Sequence, residues 1–258
     1  MSTSARRPQA LPLTRAADEF LLTTVLLFLA VTVVRWVRDP ASALYIGDLR
    51  TALAVIGPVI GVVLLGLIVS PPGRRSGGHM NPAVTVALWL MDVFPGTAVL
   101  PYAFAQLAGS VAGTVLGRLV WGPVVSRPTV DFAAIRPGPG WDGPAVFLAE
   151  TGFLIALVVL VGFFLAYPAY NRRLPYAIGS AVALLIVVLG PLSGGSANPA
   201  RQLGPALLAG RTGDLWIYTG APVLGAVLGA AVHHLLFRRF RSRRPLTYKL
   251  AGPPSEHL

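Results

Sequence analysis

The sequence predicts an all-α membrane protein of two inverted halves, each with three apolar spans and one short re-entrant helix. Three observations carry that prediction. The 258-residue chain is 54% hydrophobic and only 12% charged, with a mean hydropathy of +0.68, whereas soluble domains average about 25% charged residues. Six nearly uncharged runs approach or exceed the ~20 residues needed to cross a ~30 Å hydrocarbon core. Finally, the pattern SGGxxNPA occurs twice, at Ser76–Ala83 and at Ser193–Ala200.

The elements follow in order. Phe20–Val34, led by Glu19, is the first span, and Ala52–Val69 the second. The first SGGxxNPA copy comes next, then Val99–Gly117 with Gly109 and Gly113 four residues apart. The pattern starts again with Ala145–Tyr167, led by Glu150, and Leu174–Leu192. The second SGGxxNPA copy precedes Trp216–Phe237, which carries Gly225 and Gly229. Three spans per half is an odd number, so the second half enters the membrane from the opposite side. The paired glycines let helix backbones approach closely where lipid supplies no hydrophobic drive. The first span starts too far in, without a small-residue cleavage site, to read as a removable signal peptide.

This divides the chain into one domain over residues 1–237 and a basic tail over 238–258. Within the domain, 17–123 is the first repeat, 124–143 a Pro- and Gly-rich linker, and 144–237 the inverted second repeat.

Asn followed by Pro starts a helix well: Asn caps a free backbone N–H, and Pro at the first position forgoes no hydrogen bond. The apolar stretches that follow, Ala83–Met91 and Ala200–Ala209, span about 15 Å at 1.5 Å per residue, half of a bilayer core. Each reads as a re-entrant half-helix with Asn81 or Asn198 at its start and Pro82, Ala83 or Pro199, Ala200 behind it. Irregular backbone at that depth must be buried or line a wet cavity. Gly77, Gly78 and His79, with Gly194 and Ser196, therefore read as a pore-lining ladder of carbonyl acceptors. Two helix N-termini meeting at the centre place positive potential there, and the Asn amides are free to donate to a solute oxygen. The simpler alternative leaves both NPA elements as buried caps only.

Charge supports a membrane topology. The net charge is +11, and thirteen of the 21 Lys and Arg residues, including Arg6, Arg7, Arg74, Arg75, Arg172, Arg173 and the cluster Arg238–Arg244, fall in segments that share one side. The positive-inside bias puts both termini in the cytoplasm, with 124–143 outside. These residues flank apolar spans, so a nucleic-acid partner is not expected. The tail from Arg238 reads as a stop-transfer and anionic-lipid anchor. With no cysteine, disulfides and thiolate chemistry are excluded. The four histidines lack metal-ligand spacing, and His233-His234 reads as interfacial. No metal and no cofactor is expected.

Arg201 directly follows the second NPA, and a charge inside a membrane is a functional candidate by default. Glu19 and Glu150 either carry protons or brace the re-entrant loops as buried acceptors; their repeat-related positions favour bracing.

The segments Ser76–Thr85 (SGGHMNPAVT) and Ser193–Ala206 (SGGSANPARQLGPA) closely resemble the major intrinsic protein family, the aquaporins and aquaglyceroporins. The resemblance covers about Asp18 to Phe237. It implies a right-handed bundle of six transmembrane helices and two half-helices, assembled as a homotetramer in the lipid bilayer with one pore per subunit, each passing water or small uncharged solutes. It also implies a four-residue selectivity filter, matched here by Ile60, Ile186, Gly195 and Arg201. The sequence departs from the family's two main patterns. The bulky aromatic and the His of a strict water filter are absent. Gln202 stands where glycerol facilitators have Asp, and Ala206 replaces their basic residue, while Tyr218 is aromatic as in water channels.

The reading is a passive channel in the plasma (cell) membrane for water and small neutral solutes such as glycerol, urea or metalloid hydroxides, excluding ions and protons. The alternative is a secondary transporter, since inverted repeats with broken helices occur there too. No nucleophile–base pair or metal cluster suggests an enzyme.

Overall fold

The computed structural model describes residues 13–237 and 248–251. The arginines of the basic tail, Arg238 to Arg244, and Arg6 and Arg7 lie outside the described residues, as do the assignments made for them. Among the described residues the chain is helical, with no strand.

In the first half, α1 (Leu13–Arg38) and α2 (Leu49–Val69) are followed by one short turn of helix, α3 (Pro71–Ser76). The half-helix α4 (Pro82–Leu90) and the long α5 (Val99–Trp121) complete it. The second half repeats the order with α6 (Gly143–Ala166), α7 (Leu174–Leu189), the half-helix α8 (Pro199–Leu208) and α9 (Leu215–Phe237). Six of these helices, with α7 extended by the 3₁₀ turns before it, are long and apolar enough to cross a membrane.

Packing follows the repeat. α1 lies along α5 and α6 along α9, while α2 meets α7 across the two halves. The glycine stripes set those distances. A Cβ on Gly113 would sit 2.3 Å from the carbonyl oxygen of Thr24, and one on Gly225 would sit 2.7 Å from that of Thr151. The half-helices are exchanged: α4 packs on α9 and α8 on α5. Gly204 N–H donates to Ser110 Oγ at 2.9 Å across the second of these contacts. Large apolar side chains such as Val62, Phe104, Leu119, Leu148, Leu184 and Leu235 stand on the outside. On a soluble monomer they would be an aggregation hazard; on this integral, multi-pass membrane protein, lipid covers them.

Two boundaries differ from the hydropathy reading. α1 begins at Leu13, so Asp18 and Glu19 lie inside the helix and not before it. Both charges are satisfied there, Asp18 by Arg75 at 2.7 Å and Glu19 by the first re-entrant loop, so they cost the helix little. α7 stops at Leu189, three residues short of the apolar run. Gly190 and Pro191 follow, and the Leu192 carbonyl accepts from Gly138 N–H of the linker at 2.6 Å.

The linker is more than a tether. Gln202, next to Arg201 on α8, accepts from Ile135 N–H at 2.9 Å and donates to the Ile135 carbonyl at 2.8 Å. Asp131 pairs with Arg136 at 2.9 Å and with Arg211 at 2.5 Å. The linker therefore folds along the second half-helix and the turn that follows it.

His233 departs from the interfacial reading: it is buried against Gly162. His234 donates from Nε2 to the Leu90 carbonyl at 2.8 Å, satisfying a free acceptor at the C-terminus of α4.

Candidate channel site

Each re-entrant loop is built around a buried carboxylate. Glu19 Oε1 accepts from Ser76 Oγ at 2.6 Å and from His79 N–H at 3.0 Å, and its Oε2 accepts from Met80 N–H at 2.7 Å. Glu150 does the same in the other half. It accepts from Ser193 Oγ at 2.7 Å, from Ser196 N–H at 3.1 Å and from Ala197 N–H at 2.5 Å. Both side chains are fully enclosed. An ionised carboxylate only accepts and has room for about four donors, so each fixes a run of backbone N–H groups that no helix could satisfy.

The serines close the loops. Ser76 Oγ also accepts from Gly78 N–H at 3.1 Å, and Ser193 Oγ from Gly195 N–H at 3.2 Å. Tyr102 and Tyr218 donate their hydroxyls to the carbonyls of Ser76 and Ser193 at 2.7 and 2.6 Å. Met80 and Ala197, just before each Asn, both have φ +47°, a left-handed conformation disfavoured for side chains with a Cβ and held here by the Glu bonds. One asymmetry stands out. Gln106 donates to Glu19 Oε2 at 2.8 Å and to Thr85 Oγ1 at 3.1 Å, and Glu150 has no such amide partner among the described residues.

The two Asn residues cap their helices and bind each other's loops. Asn81 Oδ1 accepts from Ala83 N–H at 2.9 Å, and Asn198 Oδ1 accepts from Ala200 N–H at 2.9 Å. With the oxygens so engaged, Asn81 Nδ2 donates to the Ala197 carbonyl and Asn198 Nδ2 to the Met80 carbonyl, both at 2.9 Å. The amides are thus not wholly free, as the sequence suggested. One proton of each is committed to the opposite loop, and the other has no hydrogen-bond partner among the described residues.

A cavity runs past these groups. Asn81 and Asn198 border it, and so do Ile60, Ile186, Gly195 and Arg201 together. Gly78, His79 and Ser196 contribute loop backbone to the same wall, with Leu26, Leu64, Phe153, Leu157 and Val182 supplying apolar surface. Gly77 and Gly194 are not on this wall. A Cβ on Gly194 would meet Ile135 Cγ2 at 1.9 Å, so that glycine sits under the linker. Pro82, Ala83, Pro199 and Ala200 are buried behind the Asn pair. Arg201 lines this cavity, and its Nη1 is buried without a hydrogen-bond partner among the described residues.

At the other end of the cavity, Leu250 closes the lining beside Ile68 and His79. Residues 248–251 had no role in the sequence reading. Tyr248 packs on Phe94 with ring centroids 5.5 Å apart, and burial raises its phenol above the ordinary value, opposed by Arg15.

This geometry bears on family. The profile described as "Major intrinsic protein" matches residues 8–233. The chain belongs to the major intrinsic protein family. Its relatives in the family include a probable aquaporin of Archaeoglobus fulgidus, 36% identical over 192 residues, covering 70% of this chain and 75% of that one. A probable aquaporin of Arabidopsis thaliana is 34% identical over 177 residues, 68% of this chain and 62% of its own length. Nodulin-26 of Glycine max is 34% identical over 178 residues, 69% and 64% respectively. The chain thus spans less than two thirds of the length of both plant relatives. Among solved structures, the X-ray structure of the aquaglyceroporin from Plasmodium falciparum matches with a TM-score of 0.69 at 21% identity, covering 90% of this chain and all of that one. That likeness is one of fold.

Proposed function

We propose that this protein is a passive membrane channel for water and small uncharged solutes, with glycerol and urea among them. One observation carries the reading: two repeat-related loops bring Asn81 and Asn198 to one cavity, each tied to the other's backbone. A solute passing the pair meets amide donors and the converging N-termini of α4 and α8, whose positive potential disfavours cations. Ile60, Ile186, Gly195 and Arg201 form the filter. Two aliphatic walls lower the cost of admitting a carbon skeleton, and Arg201 on the same wall donates to a hydroxyl while repelling cations.

Gly78, His79 and Ser196 line the path, whereas Glu19 and Glu150 brace it. Their carboxylates are filled by loop donors, which argues against proton-coupled transport. The membrane domain is one unit over 1–237, working as a homotetramer with one pore per subunit in the plasma membrane. Both termini face the cytoplasm, where Arg15, Arg74, Arg75 and Lys249 gather, as the positive-inside bias requires.

The test is stopped-flow light scattering on proteoliposomes holding the full chain. Non-saturating permeability to water and to glycerol or urea, without ion leak, is the expected result.

A further inference from the structure

We propose that the C-terminal segment Tyr248–Ala251 is a tethered plug that seats in the tail-side mouth of the channel and closes it. This rests on the channel reading above. The seat is made by the first re-entrant loop itself. Leu250 N–H donates to the Gly77 carbonyl at 3.0 Å. His79 Nε2 lies 3.0 Å from the Tyr248 carbonyl, and Nδ1 lies 3.1 Å from Thr85 Oγ1.

A carbonyl only accepts, so Nε2 carries the proton and donates to Tyr248. In the neutral ring, Nδ1 is then an acceptor facing the Thr85 hydroxyl, whose one proton also lies within reach of the Asn81 carbonyl. The tail thus covers a backbone carbonyl of the loop, at Gly77, and takes the imidazole N–H that His79 on the cavity wall would offer a solute. Its amide and carbonyl stand in for a small hydroxylated molecule.

Side chains complete the seat. Leu250 is 2% exposed and forms part of the cavity wall with Ile68, Gly78 and His79. The Tyr248 ring lies edge-on to His79 and Phe94, and its hydroxyl accepts from the Arg15 guanidinium. Arg15 belongs to α1, so the latch joins the chain's two ends. A leucine held by paired polar contacts on one side and apolar walls on the others occupies the space a file of solute would need.

The chain has no cysteine, which allows a test independent of flux. In the full chain carrying Leu250→Cys, reconstituted with the tail side outward, a water-soluble maleimide should react slowly. Adding Tyr248→Ala should speed the reaction. Equally fast labelling in both overturns the plug. In parallel, water and glycerol permeability per channel are compared for the full chain, for Leu250→Asp and for a chain ending at Thr247. If the seat is filled nine-tenths of the time, removing it raises flux about tenfold, the inverse of the open fraction. Equal flux in all three conducting forms overturns the proposal. Slow labelling with no flux in any form keeps the plug and instead defeats the channel reading.

Discussion

Glu19 and Glu150, 131 positions apart, receive the same hydrogen bonds: a serine hydroxyl from the start of each SGG segment and the two backbone N–H groups just before each Asn. Each oxygen of both side chains accepts at least one of these bonds.

Bracing predicts an order of severity. At position 19, Ala strands the donors of Ser76, His79, Met80 and Gln106, at roughly 1–3 kcal/mol for each left unsatisfied. Gln keeps one acceptor oxygen for part of these donors, although its NH2 faces the rest, whereas Ala keeps none, so Gln should be milder. Thermal unfolding and flux of Glu19→Gln and Glu19→Ala, with the matching Glu150 pair, measure this. Wild-type transport that follows a proton gradient and loses that dependence in well-folded Gln variants would show that the carboxylates carry protons.

Replacing Asn81 or Asn198 by Asp separates the two jobs of the amide. Asp caps a helix about as well as Asn, so α4 and α8 should persist. The donor to the opposite loop is lost, however, and a negative charge arrives where two positive helix ends meet. Neutral-solute flux should fall several-fold, and a potassium leak should be detectable with an ion-sensitive dye. Normal flux with no leak in both variants would remove the Asn pair from the conduction path.

Much of this site was legible because its determinants are local. The Asn-Pro caps and the half-helix lengths depend on a few consecutive residues, and the repeat marks them twice. What escaped the sequence are contacts between lone polar residues and distant backbone. Gln106 was the findable one, since an amide deep in an apolar span needs a partner. Gln202 was noticed only as a departure from a glycerol-type pattern, whereas its side chain holds Ile135 of the linker. Tyr248 and Leu250 gave no signal at all: a short, mixed segment beyond a basic run has no periodicity, and its partners lie 169 to 173 positions away, at His79 and Gly77.

The four positions of the proposed filter are not equally open to substitution. Gly195 is a poor place to add bulk: its φ is +66°, and a Cβ would lie 3.1 Å from the Leu185 carbonyl. The aliphatic walls are better. Ile60→Phe with Ile186→His narrows the same cavity from α2 and α7 without touching the loop. Glycerol permeability should drop about tenfold, equivalent to about 1.4 kcal/mol on the barrier, with a smaller loss for water. Parallel loss of both solutes would place the constriction elsewhere.

The most direct test is the permeability of the reconstituted chain, full-length and ending at Thr247, to water, glycerol and urea by stopped-flow light scattering. Water together with glycerol or urea should cross without saturation, without a proton or sodium gradient and without ion leak, and faster in the shortened chain. Fast water flux with both larger solutes excluded would contradict the wide, aliphatic filter, and saturable, gradient-driven uptake would contradict the channel itself.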